Sequence, residues 1–494
     1  MNTPSFHRFL KRLPLAAACG LALLLAGCND PEETVLWSPD GLHGLVRGGN
    51  EIVVVDDAGA IIAKPFPKPD GEPSVGVESW MPDSQRVLAV RGVKAKNWSE
   101  IAPLLGVERA QAVMRAADDV LRWMKEYHGD WSKFGDDDQR MKAWMEHMDF
   151  VAQYADQGAG ATLALAYLRE RHAAEVAPLV EAEVVGDDAM PKIHELLVRH
   201  VLPGAAPAEQ ILLRSVDTLS WARPSPDGRM IAFVRNEPER PALCIVSAEG
   251  GDAVPVDAGA AQAAWTPDGA ALVYQKTTAP FTAVEQQAQL GTLTRRQVRD
   301  AAGAVPAKLA EAEDLAGVLY AKEHSRVACL PDGRILFVSS ELSLPAVETS
   351  REMSLFALQP GATRVITRMV SEASQPNLPA RIDRFSVSPD GRHVALPGSN
   401  GEVAVLSLES GEVTEIQGEV ANYRDSSKYE NSASEPAPSW RNASELCYIV
   451  PAGDAAGSAR RAEVVLQPLG GARRTISREW SDELTTGFLP RPKK

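Results

Sequence analysis

Short apolar runs, each introduced by a polar turn, recur along most of the chain. Arg229-Met230-Ile231-Ala232-Phe233-Val234, Ala271-Leu272-Val273-Tyr274, Arg334-Ile335-Leu336-Phe337-Val338, Val394-Ala395-Leu396 and Leu446-Cys447-Tyr448-Ile449-Val450 are rich in β-branched and aromatic residues. Runs of this length and composition predict strands buried on both faces. A second pair of strands around a glycine turn follows in most cases. Val403-Ala404-Val405-Leu406-Ser407-Leu408, Gly411 and Val413-Thr414-Glu415-Ile416 give the pattern, matched around Gly250-Gly251, Gly361 and Gly470-Gly471. Each unit is therefore read as a four-stranded antiparallel meander, the blade of a β-propeller.

The turn ahead of each first run repeats residue for residue: Trp37-Ser38-Pro39-Asp40-Gly41, Trp80-Met81-Pro82-Asp83, Ser225-Pro226-Asp227-Gly228, Trp265-Thr266-Pro267-Asp268-Gly269, Pro331-Asp332-Gly333 and Ser388-Pro389-Asp390-Gly391. A weaker seventh copy is Trp440-Arg441-Asn442-Ala443. Ser suits the first position of a type I turn, Pro pre-sets φ at the second, Asp tolerates the third, and Gly accepts the left-handed conformation. From Pro39 through Pro82, Pro226, Pro267, Pro331 and Pro389 to Arg441 the steps are 43, 144, 41, 64, 58 and 52 residues. Two of these match the roughly 40 to 45 residues of one four-stranded blade, and the longer ones imply insertions. The sequence predicts an all-β, seven-bladed propeller, with six blades as the alternative if the fourth or last unit is degenerate.

The Ser-Pro-Asp-Gly pattern, followed by an apolar strand, resembles the TolB-like propeller repeat, a relative of the WD repeats, from about residue 33 to 480. The resemblance implies a periplasmic protein that binds envelope partners. TolB-like translocation proteins carry an α/β domain ahead of the propeller, whereas this chain enters blade one soon after Cys28.

In the 144-residue step the apolar period changes from two to 3.6. Val113, Ala117, Val120, Leu121 and Met124 form one stripe, and Met141, Trp144, Met145, Met148 and Ala152 another. Residues 98–208 are read as an α-helical insertion in blade two, with further helices at about 160–182 and 191–202 and with Asp136-Asp137-Asp138 at a helix start. The strand Ile211-Leu212-Leu213 is expected to resume the blade. A smaller helical excursion is expected at about 284–313, in blade four. On this division the propeller occupies 33–97 and 209–480, and 481–494 is a tail.

At the amino end Arg8, Lys11 and Arg12 precede an apolar stretch from Leu13 to Ala26, which ends in Leu25-Ala26-Gly27-Cys28. It is short for a membrane span and has the flanks of a signal peptide. The box resembles the bacterial lipoprotein pattern, which implies removal of residues 1–27, acylation of Cys28 and a short linker over 28–32. Asn29-Asp30 follows; the outer membrane, facing the periplasm, is the favoured address.

The formal charge is −15, or −18 once the three leader cations are lost. No basic patch with interleaved aromatics occurs, so nucleic acid is not expected as a partner. Of five cysteines, Cys244, Cys329 and Cys447 remain after Cys19 and Cys28, and are read as buried thiols.

Catalytic motifs are lacking. There is no Gly-x-Ser-x-Gly and no room after blade seven for a hydrolase domain. His194-Glu195 and His200 have the wrong spacing for a zinc helix and read as a polar helix edge. Gly158-Ala159-Gly160 follows a helix rather than a strand and reads as a helix connection. The repeated aspartates are one per blade, too far apart to share an ion, and are read as turn residues. Trp37, Trp80, Trp265 and Trp440 occupy places held elsewhere by Pro224, Cys329 and Val387, which points to packing between blades. No catalytic residue, cofactor or metal is assigned. Two surfaces are candidates for recognition: the insertion, with Trp98, Trp123, Tyr127, Trp131, Trp144 and Tyr154, and the polar loop Tyr423-Arg424-Asp425-Ser426-Ser427-Lys428-Tyr429-Glu430-Asn431. The reading is a lipid-anchored scaffold for envelope proteins; the alternative is a small-ligand or glycan sensor, or a lyase or hydrolase, using the propeller channel.

Overall fold

The computed structural model describes residues 35–48, 51–66, 75–127, 160–181, 190–204, 208–238, 240–260, 262–283, 286–320, 326–340, 353–361, 363–371, 382–398, 401–418, 437–452, 461–481 and 484–485. The leader 1–27, Cys28, Asp136 to Asp138, Trp131, Trp144, Tyr154 and the 423–431 loop lie outside the described residues, and the side chains of Trp123 and Tyr127 are not described.

Seven four-stranded antiparallel sheets are present among the described residues, each built from four strands consecutive in sequence. They span 36–63, 75–215, 218–258, 263–320, 327–371, 386–417 and 439–475. The propeller therefore has seven blades, and the six-bladed alternative is excluded. The first strand of each sheet pairs on one side alone, and first strands of neighbouring blades touch at five of the seven seams, so these strands surround the axis.

Blades hold together through apolar layers. Between blades one and two these are Leu45, Ile52, Val54, Trp80 and Val87; between two and three, Met81, Leu88, Leu196, Leu219, Ile231 and Phe233. At about 1.5–3 kcal/mol for each fully buried aliphatic or aromatic side chain, these layers are the main source of cohesion. Three of the four tryptophans that precede the turns add a latch across the seam. Trp80 Nε1 donates to Leu36 O at 2.7 Å, Trp265 Nε1 to Arg223 O at 3.2 Å and Trp440 Nε1 to Ser386 O at 3.1 Å.

Among the described residues no sheet combines strands from the two ends of the chain. The seam between blades seven and one is filled by Ile476, Trp480 and Leu484, which pack among Val35, Trp37, Val53, Cys447 and Val464. Trp480 Nε1 donates to Gly59 O at 2.7 Å. Leu484 and Thr485, placed in a tail by the sequence reading, are buried.

Two helical expectations are corrected. Residues 191–202 hold the strand Lys192–His200, paired with Arg86–Lys94 and with Glu209–Ser215, so the insertion in blade two lies between Lys94 and Lys192. Ile193, Leu196 and Leu197 have helical spacing, but the strand is apolar because both its faces are covered, and such a run has no diagnostic period. The 284–313 region contains no described helix. Ala271–Ala283 and Gln286–Gln297 form a long hairpin, joined by Glu313–Tyr320.

Candidate recognition face

The repeated turn is a closed hydrogen-bond network. In blade one the Ser38 hydroxyl donates to Asp40 Oδ1 at 2.6 Å, the same oxygen accepts the Leu42 N–H, and Ser38 Oγ accepts the His43 N–H. Ser225 and Asp227 repeat it, as do Thr266 with Asp268 and Ser388 with Asp390. Asp83 and Asp332 instead hold the side chains of Arg86 and Arg334. Each carboxylate is thus occupied within its own turn. The Arg299 guanidinium, 5% exposed, binds Asp227 at 2.8 Å and holds that carboxyl far below the usual range, with the Ser225 hydroxyl acting in the same direction. The Thr266 hydroxyl, with the Ala270 N–H, lowers the Asp268 carboxyl. At Asp40 and Asp390 burial pulls upward, and the hydroxyls of Ser38 and Ser388 with backbone N–H groups outweigh it.

The turn glycine explains itself at Gly391. Its φ is 71°, and a Cβ there would sit 2.5 Å from Pro331 Cδ of the preceding blade. Gly228 lies on Pro82, and Gly269 on Pro226, in the same way. The turns stand in a ring on a single face of the propeller, in which Gly333 has nothing within 4 Å of an added Cβ.

Strand direction places the elaborations opposite that ring. Every first strand runs toward its turn, and every second strand runs away from it. The connection between second and third strands therefore emerges on the other face. There lie the blade-two insertion after Lys94, the far end of the long blade-four hairpin, the end of the strand Val413–Gln417 and the chain entering at Val35.

The described part of the insertion is three helices: α1 (Trp98–Tyr127), broken at Gly106 where φ is 72°, α2 (Ala161–Arg171) and α3 (Ala173–Glu181). They share a core of Trp98, Ile101, Val113, Ala117, Val120, Leu165, Leu168 and Val176, and this core continues onto Ala95 and Ile193 of the blade. Trp98 packs edge-on against Tyr167 at 5.5 Å between ring centroids, so it is a core residue. The Ser99 hydroxyl donates to Glu170 at 2.7 Å, joining α1 to α2. Arg109 pairs with both oxygens of Asp217 at 2.8 and 2.9 Å, fixing α1 to the junction of blades two and three. The insertion is seated on the propeller. Val107, beside the break, is 74% exposed.

A second cluster lies on the inner strands of blades two and three. Both are bulged, at Glu78 and around Trp221-Ala222. Trp221 has φ 48°, a left-handed conformation uncommon for a bulky residue. The bulges bring together Glu78 and Arg223, whose Nη1 donates to the Glu78 and Ala222 carbonyls at 2.5 and 3.0 Å and lies 4.0 Å from the Glu78 carboxylate. Sequence reading missed this cluster and the Arg109–Asp217 pair. The first depends on two strand irregularities, the second on partners 108 residues apart, and neither leaves a local motif.

The residues weighed for chemistry fall elsewhere. His194, Glu195 and His200 stand on a strand, not on the expected helix edge, and Glu195 is gripped by Arg91 at 2.6 Å and Arg214 at 3.0 Å. Burial, then the Lys192 charge, lowers the His194 pKa. Cys244, Cys329 and Cys447 are free thiols, and burial pushes them to about 11, 12 and 12; Cys329 is part-buried by exposure and the other two are buried. Among the described residues no group of three or more His, Cys, Asp or Glu is placed to hold a metal ion, and no helix is long and apolar enough to cross a membrane.

These features define the class of the molecule: a seven-bladed β-propeller with a helical platform on one face. No protein-family model and no curated protein matches the chain. Solved structures similar to it include TolB from Acinetobacter baumannii, at 17% identity over 57% of this chain and 59% of that one, TM-score 0.35. A putative TolB from Agrobacterium tumefaciens is 15% identical over 55% and 84% respectively, TM-score 0.31. An oligogalacturonate lyase from Vibrio parahaemolyticus is 13% identical over 75% of each chain, TM-score 0.38. The chain spans about three fifths of the length of the Acinetobacter protein. The propeller assignment rests on the strand pairing itself.

Proposed function

We propose that the chain is a cell-envelope lipoprotein, anchored through acylated Cys28 and acting as a protein-binding scaffold through the insertion-bearing face of its propeller. The observation that carries this reading is the seated insertion. A platform whose helices already share a core with the blade loses little conformational freedom when it binds, which favours recognition of a protein surface. The turn face, by contrast, has its polar groups occupied and serves as frame. The Leu25-Ala26-Gly27-Cys28 box supports an anchor, and several acyl chains on one cysteine hold a protein to a bilayer far better than one. The favoured address is the outer membrane with the body in the periplasm.

Lys94 and Lys192 face each other at the end of the ladder, so a tight turn can replace residues 95–191 and leave the hairpin closed. The whole protein and this variant, each verified as folded by circular dichroism, would be crosslinked in envelope extracts. Envelope proteins joined to insertion residues of the whole protein, and absent from the variant, are the expected result. Equal capture by both, or none by either, sinks the reading.

The strained Trp221 and the Glu78–Arg223 cluster favour a second reading, a channel that binds a small ligand or glycan for sensing or for lyase or hydrolase chemistry. A ligand that raises the Tm of the native protein but not of the Arg223→Ala variant would support it.

A further inference from the structure

Resting on the acylation of Cys28, we propose that the insertion-bearing face is the one apposed to the lipid surface, and that the ring of Pro-Asp-Gly turns points away from the membrane. The argument is one of reach and direction. Cys28 is seven residues from Val35, and at no more than about 3.6 Å per residue its acyl chains lie within about 25 Å of the point where the chain enters blade one. That entry is to the inner strand Leu36–Trp37, which runs toward the turn beginning at Ser38. The chain therefore arrives near the axis, on the face opposite the turns.

To bring the turn face to the bilayer, the linker would have to pass around the rim. Four strands about 4.8 Å apart place the rim about 15 Å from the inner strand, and the six-residue strands His43–Gly48 and Glu51–Asp56 give the blade a depth of about 20 Å. The route needs about 35 Å, more than the linker spans. The insertion and the far end of the blade-four hairpin are held on the membrane side by the same strand polarity. A partner of the insertion would then be met close to the bilayer, not from the open aqueous side.

Two exposed positions serve as reporters: Val107, on α1 beside the Gly106 break, and Leu42, 55% exposed on the blade-one turn. Full-length acylated protein carrying Val107→Cys or Leu42→Cys, labelled with a fluorophore, would be placed in phosphatidylethanolamine–phosphatidylglycerol vesicles containing a headgroup energy acceptor. Protein without an introduced cysteine gives the background from the three native thiols. Mass spectrometry of the amino-terminal peptide reports acylation separately. Energy transfer severalfold stronger from position 107 than from position 42 is expected. Equal or reversed transfer on protein shown to be acylated overturns the orientation and leaves the anchor standing. Cys28 found without acyl chains overturns both.

Discussion

At Gly391 a repeat signature becomes a single steric fact: a left-handed φ and a proline ring of the preceding blade where a side chain would begin. Gly411 has a similar φ of 74° but nothing within 4 Å of the added Cβ. Gly391→Ala is therefore expected to cost about 3 kcal/mol and Gly411→Ala about 1 kcal/mol, because only the first adds a clash to the backbone strain. Urea unfolding of the two variants measures the difference, and equal costs would remove the ring of turns from the account of stability. The aspartates obey the same logic. They are turn parts because each meets backbone N–H groups in its own loop together with a hydroxyl, or at Asp83 and Asp332 an arginine side chain, and the Ser-x-Asp-x-x pattern already made the hydroxyl pairs legible. What no pattern exposed was Arg299, which reaches Asp227 from 72 residues away.

Among the elements, the blades were readable because each strand is a short apolar run stopped by a turn of fixed chemistry, and the period marks its neighbours. Two regions misled for different reasons. Lys192–His200 has apolar residues at helical spacing, and its ladders to Arg86–Lys94 and Glu209–Ser215 make it a strand. The blade-four hairpin uses the polar, helix-tolerant Gln286, Gln287 and Gln289, whose backbone is committed by the opposing strand rather than by local preference. The insertion was readable as helical from its 3.6 period, but not its docking. Arg109→Ala leaves Asp217, with 9% of its side chain exposed, without its bidentate partner and is expected to weaken the seating of α1 by about 1–3 kcal/mol. Faster hydrogen exchange confined to 98–127, with the blades unchanged, would be the signature. Unchanged exchange would make the pair incidental.

For the molecule as a whole, the lowered carboxyls link stability to acid. Asp227, Asp268, Asp40 and Asp390 all titrate below their unfolded values, so their contribution is complete above about pH 4 and is lost as pH falls through the folded values. The urea midpoint should decline below about pH 4, and less steeply in Asp227→Asn, which is itself less stable at neutral pH because Arg299 loses its partner. A midpoint that does not fall in acid would contradict the turn networks. Trp480→Ala should cost about 3–5 kcal/mol, since it opens the seam between blades seven and one and removes the bond to Gly59. That seam also sets an order in time. Because its filler follows the last blade strand, a chain delivered amino end first must wait with blade one exposed until residues 476–485 arrive. The ring is therefore closed only once these residues are in place, and a chain that lacked them would be marked by an apolar gap that proteases can find.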